Sequence, residues 1–377
     1  MNTQRPLRIM MLGLRGFPKV QGGVETHAEH LCPLLAGMGC EVTVLVRSPY
    51  QPKDVGHEWQ GVKFVPLWAP KSKGLEAIVH TFLGTLYAAF KRPDILHIQA
   101  IGPAIMTLPA RLLGLRVVVT HHGPDYDRQK WGRFARFVLQ LGERWGMRFA
   151  NERIVISRVI ADLVRAKHAR ESALIPNGVV LAPLPESVSA LERFGLRRRR
   201  YVLLVSRLVP EKRHLDLIEA FLLARLDGWK LVLVGGADHP DEYQREVIAR
   251  AQATGTVMTG FQSGIALQEL YAHAGLFVLP SSHEGMPIAM LEALSYGLPV
   301  VASDIPANVE VGLEADHYFP LGDRSALAER LGQHAAVEPD DASCSARRTW
   351  VAERNDWRRV AARTLEVYGM VSSNLRG

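Results

Sequence analysis

Short apolar runs that do not alternate with polar residues recur along this chain, each followed by a segment of helical spacing. VVVT and IVIS carry apolar side chains at consecutive positions, so both faces of such strands must be covered. A parallel sheet with helices on both sides meets that demand. Strands are predicted at 8–14, 41–47, 62–66, 94–98, 116–120, 153–157 and 172–176, with helices at 24–38, 74–91, 103–114, 132–149 and 158–168. IPNGVV closes this first pattern, and residues 179–200, containing LAPLPESVSA and ending in RRRR, read as a linker. The pattern then restarts with YVLLVS, KLVLVG, TVMTG, LFVLP and PVVAS, separated by helices near 212–225, 240–253, 265–274 and 287–297. The expected fold class is α/β: two doubly wound, Rossmann-like domains at 1–178 and 201–350. A single amphipathic helix at 351–377 is expected to pack back toward the first domain.

At 377 residues the chain has length for two domains, and 47% hydrophobic with 22% charged residues excludes a disordered protein. Cys32, Cys40 and Cys344 make no disulfide framework and lack metal-ligand spacing, which suggests a reducing, cytoplasmic setting. The apolar stretch 77–90 falls short of the roughly 20 residues a spanning helix needs. The net charge of +7 is concentrated at 197–200 and in RQKWGRFARFVLQLGERWGMR at 128–148. There Arg and Lys interleave with Trp131, Phe134, Phe137 and Trp145. Such a helix can lie on an anionic membrane, or it can pack its aromatics on its own core; both readings stand at this point.

Ligands of doubly wound sheets gather beyond the carboxyl ends of the strands, so the residues just after strands carry the functional argument. Behind the first strand lie Gly13, Gly16, Gly22 and Gly23, then a helix. Backbone N–H groups in such a loop can approach an anion closely, although the spacing is not the dinucleotide G-x-G-x-x-G. Pro33 predicts a kink or an early end to that helix. HHGPDYD follows RVVVT, so His121 or His122 can donate to a sugar hydroxyl or a phosphate, while the other packs beneath the loop. Asp125 and Asp127 form a D-x-D pair, but among histidines and basic residues no metal is expected there.

Arg207 and Lys212 follow YVLLVS across a Pro-containing turn that opens a helix. Cations at a helix start oppose its dipole, which implies an anion between them, and a diphosphate fits. SSHEGMPIAMLE follows LFVLP, with Glu284 before the helix and Glu292 inside it. At 1.5 Å per residue they lie at most about 12 Å apart along the axis, the reach of a nucleotide sugar from hexose to ribose. Carboxylates accept from vicinal hydroxyls. Glu292 in an otherwise apolar helix shows no internal partner in the sequence.

GGVE (22–25), THHG (120–123), IPNGV (175–179), SRLVPEK (206–212), TGF (259–261), EGMPIAMLE (284–292) and WRRVA (357–361) occur in this order over essentially the full chain. This set resembles the retaining GT-B glycosyltransferases of family 4, the bacterial cell-surface polysaccharide glycosyltransferases of group 1. The resemblance implies two Rossmann-like domains facing across a cleft, the first on the acceptor side and the second binding a nucleotide-diphosphate sugar. It implies catalytic roles for Arg207, Lys212, His122 (with His121 as the alternative) and Glu284. Donor-binding roles fall on Gly22, Gly23, Gly260, Phe261, Gln262, Gly285, Met286 and Glu292. Arg207 and Lys212 would hold the diphosphate, Glu292 the ribose, and Glu284 with Gly285 and Met286 the transferred sugar. The implied donor is a UDP-, GDP- or dTDP-sugar, with no metal or other cofactor required. The implied acceptor is a saccharide or polyprenyl-linked saccharide at the cytoplasmic membrane face, and no nucleic acid is involved. Two other classes compete. A GT-B epimerase or phosphorylase would share the fold, but no segment announces a pyridoxal lysine. A non-catalytic basic binding protein would leave Glu284 and Glu292 without a role.

Overall fold

The structure, a computed structural model, describes residues 5–51, 55–70, 75–128, 132–237, 241–337 and 340–373. The chain divides into two compact units, Met1–Asn177 with Trp357–Gly377, and Gly178–Asp356.

The first unit contains strands β1 (Arg8–Leu12), β2 (Glu41–Arg47), β3 (Glu58–Trp59), β4 (Val62–Leu67), β5 (Ile95–Gln99), β6 (Val117–His121), β7 (Glu152–Val155) and β8 (Ala173–Leu174). Among the described residues they form one sheet in the order β3-β4-β2-β1-β5-β6-β7-β8, parallel except for the β3–β4 pair. Helices α1 (Gly23–Gly37), α2 (Leu75–Lys91), α3 (Thr107–Leu112), α4 (Arg133–Phe149) and α5 (Arg158–His168) connect it. Every residue of β5 and β6 is buried, their apolar side chains and also the polar His97, Gln99, Thr120 and His121. His97 lies within hydrogen-bond distance of Thr120 and Gln99, while His121 bonds to Glu143.

α1 passes through Pro33 without ending, so of the kink or early end expected there the early end does not occur. Its buried face of Ala28, Leu31, Cys32 and Leu35 belongs to the same core as Trp357, Val360, Ala361 and Val367. Burying side chains of this size is worth about 1.5–3 kcal/mol each, which offsets the hydrogen bond a proline removes. α4 packs closely because Gly142 and Gly146 lack side chains. A Cβ at Gly142 would sit 2.2 Å from the Ile101 carbonyl oxygen, and one at Gly146 would sit 2.8 Å from the Ala104 Cβ.

The second unit begins with α6 (Ser189–Phe194), which lies inside the stretch 179–200. β9 (Tyr201–Val205), β10 (Lys230–Val234), β11 (Val257–Gly260), β12 (Leu276–Leu279), β13 (Val300–Ser303) and β14 (Tyr318–Phe319) form a parallel sheet in the order β11-β10-β9-β12-β13-β14. Its helices are α7 (His214–Ala224), α8 (Glu242–Thr254), α9 (Gly264–Ala272), α10 (Ile288–Ser295), α11 (Pro306–Val309), α12 (Arg324–Ala335) and α13 (Asp341–Arg354).

The single terminal helix expected from the sequence is two helices, α13 and then α14 (Trp357–Ser373). Asn355 leaves helical geometry at φ −127 and ψ 51, and its carbonyl accepts from the Val179 N–H at 2.6 Å. That bond pulls the chain out of the helix. α13 stays in the second unit, where the Arg347 Nε donates to the Gly297 carbonyl at 2.9 Å. α14 belongs to the first unit, with Trp357 stacked on His30 at 5.2 Å. Among the described residues no helix is long and apolar enough to cross a membrane.

Candidate active site

In the second unit β9 and β12 are parallel neighbours, so the loops at their carboxyl ends emerge side by side. The loop after β9 turns through Pro210–Lys212 in a single 3-10 turn, and Arg213 at φ 51 then caps α7. The loop after β12 is tied to it: the Ser282 N–H donates to the Glu211 carbonyl at 2.8 Å, and the Ser282 hydroxyl reaches the same oxygen at 3.3 Å. Across this junction the Lys212 ammonium donates to the Glu284 carboxylate, both side chains largely covered. The anion implied beside Lys212 is therefore supplied, in this structure, by the protein itself. Beneath the turn the Ser206 hydroxyl and the His214 Nε2 lie 2.9 Å apart. Burial, reinforced by the Lys212 charge, pushes His214 down to about 3, so the ring is neutral and adds no second cation. Arg207 is partly exposed just past the end of β9.

Gly285 and Met286 precede Pro287, the cap of α10, whose carbonyl accepts from the Met290 and Leu291 N–H groups at 3.0 and 3.1 Å. Proline suits this position because its missing donor would have no helical partner. The first turn beyond it directs N–H groups toward Gly285 and Met286, an arrangement fit for an anion. Glu292 lies in the middle of α10 and is half-buried. It does have an internal partner, which corrects the sequence reading: the Tyr271 hydroxyl donates to Glu292 Oε2 at 2.9 Å. Tyr271 comes from α9 and stacks on Tyr296 at 5.4 Å. Burial and the adjacent Glu292 charge hold its phenol well above the usual range, so it remains a donor. At the end of β11, Gly260 adopts φ 69 and Phe261 is exposed, while the Gln262 amide turns back to the Thr259 carbonyl at 2.7 Å.

In the first unit Gly22 caps α1 at φ 154, and a Cβ there would fall 2.0 Å from Glu25 Oε2 and 2.6 Å from Arg15 Nη2. Gly23 opens α1 with no such neighbour. The loop closes on an ion pair that the sequence did not disclose: Glu25 accepts from the Arg15 Nε at 3.1 Å and from its backbone N–H at 3.2 Å. Glu25 is the acid of GGVE, and its pattern could have flagged it; its partner, ten residues earlier in the strand-end loop, could not be read from spacing.

The two histidines separate cleanly. His121 is fully buried, its Nε2 3.1 Å from Glu143 Oε1 and its Nδ1 accepting from the Gly123 N–H at 3.0 Å. His122 is half-buried, with Nε2 2.7 Å from Gln99 Oε1. His121 is thus the ring beneath the loop. Glu143 also receives the Tyr126 hydroxyl at 3.0 Å and the Lys167 ammonium. Burial alone would push its carboxyl up, but the hydrogen bonds from His121 and Lys167, with the Lys167 charge, bring it down to about 2. Asp125 pairs with Arg128 at 2.8 Å, and among the described residues no group of three or more His, Cys, Asp or Glu lies together as a metal cage would require. On α4, Phe134 and Phe137 are exposed at 77% and 60%, so those two aromatics do not pack on the core; Trp131 lies outside the described residues.

Two family models match the chain, one described as "Glycosyltransferase Family 4" over residues 21–182 and one as "Glycosyl transferases group 1" over residues 192–335. The structure of Anabaena HepE in complex with UDP-glucose superposes with a TM-score of 0.77 at 18% identity, covering 96% of this chain and 99% of that one. The chain belongs to the GT-B glycosyltransferases of the family 4 type. Among relatives, the GDP-mannose-dependent alpha-(1-6)-phosphatidylinositol monomannoside mannosyltransferase of Mycolicibacterium smegmatis is 28% identical over 412 residues, covering 95% of this chain and 97% of that protein. O-antigen chain mannosyltransferase B of Escherichia coli is 26% identical over 213 residues, 55% of each chain.

In this GT-B glycosyltransferase, then, Lys212 and Glu284 are brought into contact, and Arg207, Gly285 and Met286 lie on the same two tied loops. Glu292 reaches that group through α10, and Gly260, Phe261 and Gln262 lie two strands away at the edge of the same sheet. Gly22, Gly23 and His122 follow β1 and β6 of the first unit.

Proposed function

We propose that this glycosyltransferase transfers a hexosyl group, with retention, from a nucleotide-diphosphate sugar to a saccharide or lipid-linked saccharide in polysaccharide or glycolipid assembly. The observation that carries this reading is the joined pair of loops after β9 and β12, with Lys212 and Glu284 in contact beside the α10 N-terminus. A donor diphosphate would meet Arg207, Lys212 and the α10 N–H groups, and Glu292 would take the ribose hydroxyls. HepE is described in complex with UDP-glucose, and the mycobacterial and O-antigen relatives are named as mannosyltransferases, which supports a sugar-nucleotide donor.

Leaving-group stabilisation is the main demand on the protein. As the bond from the sugar C1 to the diphosphate oxygen breaks, charge grows on that oxygen, and Arg207, Lys212 and the helix dipole oppose it. The acceptor hydroxyl attacks C1 on the face the diphosphate leaves, and its proton passes to a phosphate oxygen. Glu284 is held by Lys212, which favours an orienting role over attack on C1. Metal is not needed in this scheme, so activity is expected to survive EDTA.

The proposed workplace is the cytoplasmic membrane face. The phosphatidylinositol-mannoside relative is named for a lipid acceptor. α4 exposes Phe134 and Phe137 among arginines, and α2 exposes Leu75, Ile78, Phe82, Leu86 and Phe90 at helical spacing. That pattern suits an anionic surface.

Incubation with a panel of UDP-, GDP- and dTDP-sugars tests the donor. Turnover of one donor to a product with the donor's own anomeric configuration is expected. An inverted product would overturn retention, and failure to bind any nucleoside diphosphate would overturn the reading as a whole.

A further inference from the structure

In the second unit, three side chains from three elements close the base of the turn that carries Arg207 and Lys212. Ser206 follows β9 directly before the turn, and His214 opens α7 directly behind it. The 2.9 Å contact between His214 Nε2 and the Ser206 hydroxyl therefore joins the two ends of the turn. On its other side the same ring meets α8. His214 Nδ1 lies 3.3 Å from the Tyr243 hydroxyl, and the two rings are 6.0 Å apart at a 60° tilt. His214 and Ser206 are buried, and Tyr243 is half-buried.

Tyr243 also supplies what α7 lacks. Arg213 stands at the cap position of α7 with φ 51 and ψ 43, and its side chain has no oxygen to accept the free N–H groups of the first turn. A residue other than glycine in this left-handed region is unfavourable by itself, so its surroundings must hold it there. The Arg213 guanidinium turns instead to Asp216, which also receives the Arg324 Nε at 2.8 Å. The missing acceptor comes from the neighbouring helix: the His214 N–H donates to the Tyr243 phenol oxygen at 2.9 Å. Tyr243 is itself fixed in the first turn of α8, where Asp241 accepts from the Gln244 N–H at 3.0 Å. One phenol thus meets both the backbone and the ring of His214. A neutral ring has one proton and one lone pair, so it can bond to both hydroxyls at once.

We propose that Tyr243 is a positioning residue for the transfer reaction: through His214 it pins both ends of the 207–213 turn and so aims Arg207 and Lys212 at the donor diphosphate. This rests on the role given to those two cations in the function proposed above. Stabilisation of a leaving group depends on charges already aimed when the bond breaks, so a loosened turn weakens it without removing a cation. The effect should be confined to the phosphate end of the ligand, because the turn is assigned no contact with the base.

Two variants of the full chain test this. Tyr243→Phe removes the hydroxyl and keeps the ring, and Ser206→Ala cuts the other end of the chain of contacts. UDP, GDP and dTDP are titrated by calorimetry, and the one that binds the parent is followed in each variant beside the nucleoside of the same base, measured as its competitor. Each substitution should weaken diphosphate binding roughly three- to tenfold, as expected for one neutral hydrogen bond, and leave the nucleoside unchanged. The double variant should lose little more than the larger single loss, since both changes act through His214. Equal losses of nucleoside and diphosphate, which a general loosening of the unit would give, overturn the proposal, and so do fully additive losses. If no nucleoside diphosphate binds the parent, the proposed function fails, and hydrogen exchange then judges the positioning alone. The Lys212 and Arg213 N–H groups should exchange faster in both variants than in the parent, and unchanged rates there overturn it.

Discussion

The two units use opposite electrostatics behind their strands. In the first, polar groups are buried and neutral or closed in pairs: Arg15 with Glu25, Arg47 with Glu76 at 3.0 Å, His121 with Glu143, and His27 with Asn177 at 2.8 Å. In the second, the corresponding place holds a largely covered ion pair across two loops, Lys212 with Glu284, and a half-buried carboxylate, Glu292, steadied by a phenol. A closed, neutral network resists rearrangement because every member has a partner to lose. An ion pair at a loop junction, its side chains 18% and 11% exposed, can exchange one partner for an incoming anion that replaces the contacts it displaces. The first unit is thus built to hold geometry and the second to receive charge.

Acid should expose this difference most strongly. Burial lowers His27 and His80 to about 4, the latter also through the Arg47 charge, and His97 to about 3. An unfolded histidine takes up a proton below about 6.5 while these cannot, so their contribution is complete above pH 6.5 and is lost as pH falls toward 4. Each should favour opening by at least about tenfold between pH 7 and pH 5. The second unit has His214 in the same position. Hydrogen exchange corrected for intrinsic rates should show the first unit losing protection more steeply; equal losses would break the contrast. Glu143 acts at lower pH, its contribution present above about pH 4.5 and lost as pH falls through about 2.

Arg207→Ala or Lys212→Ala should each reduce turnover on the order of 10²–10³-fold while thermal stability changes little, by analogy with loss of one preorganised donor. Neither change should alter exchange in the first unit. Glu292→Ala should weaken nucleotide affinity on the order of tenfold, and Tyr271→Phe, which only frees the carboxylate to move, by roughly threefold. Calorimetry with the free nucleotide separates these, and a larger effect at Tyr271 than at Glu292 would show that the phenol is a ligand itself. The smallest effect concerns α4: Phe134→Ser with Phe137→Ser should reduce sedimentation with anionic vesicles a fewfold, and indifference to lipid charge would remove the membrane reading.

Most strand positions were legible because unbroken runs such as VVVT and LLVS admit few other environments. The loops after strands were legible for the same reason, since topology sends ligands there. What escaped was pairing across distance. No spacing rule links Glu292 to Tyr271, Glu25 to Arg15, or His122 to Gln99, because each contact depends on how neighbouring strands or helices are registered. The division of α13 from α14 escaped as well, since Asn355 leaves the helix for a bond to Val179, a residue far away in sequence. Pro33 shows the converse, a strong local signal overruled by a buried helix face.

The grip on a diphosphate by the second unit is tested most directly by titrating UDP, GDP and dTDP into the parent protein and into Lys212→Ala by calorimetry at one ionic strength. One of the three should bind the parent, and the substitution should weaken that binding at least tenfold. Equal affinity in the two proteins would contradict it.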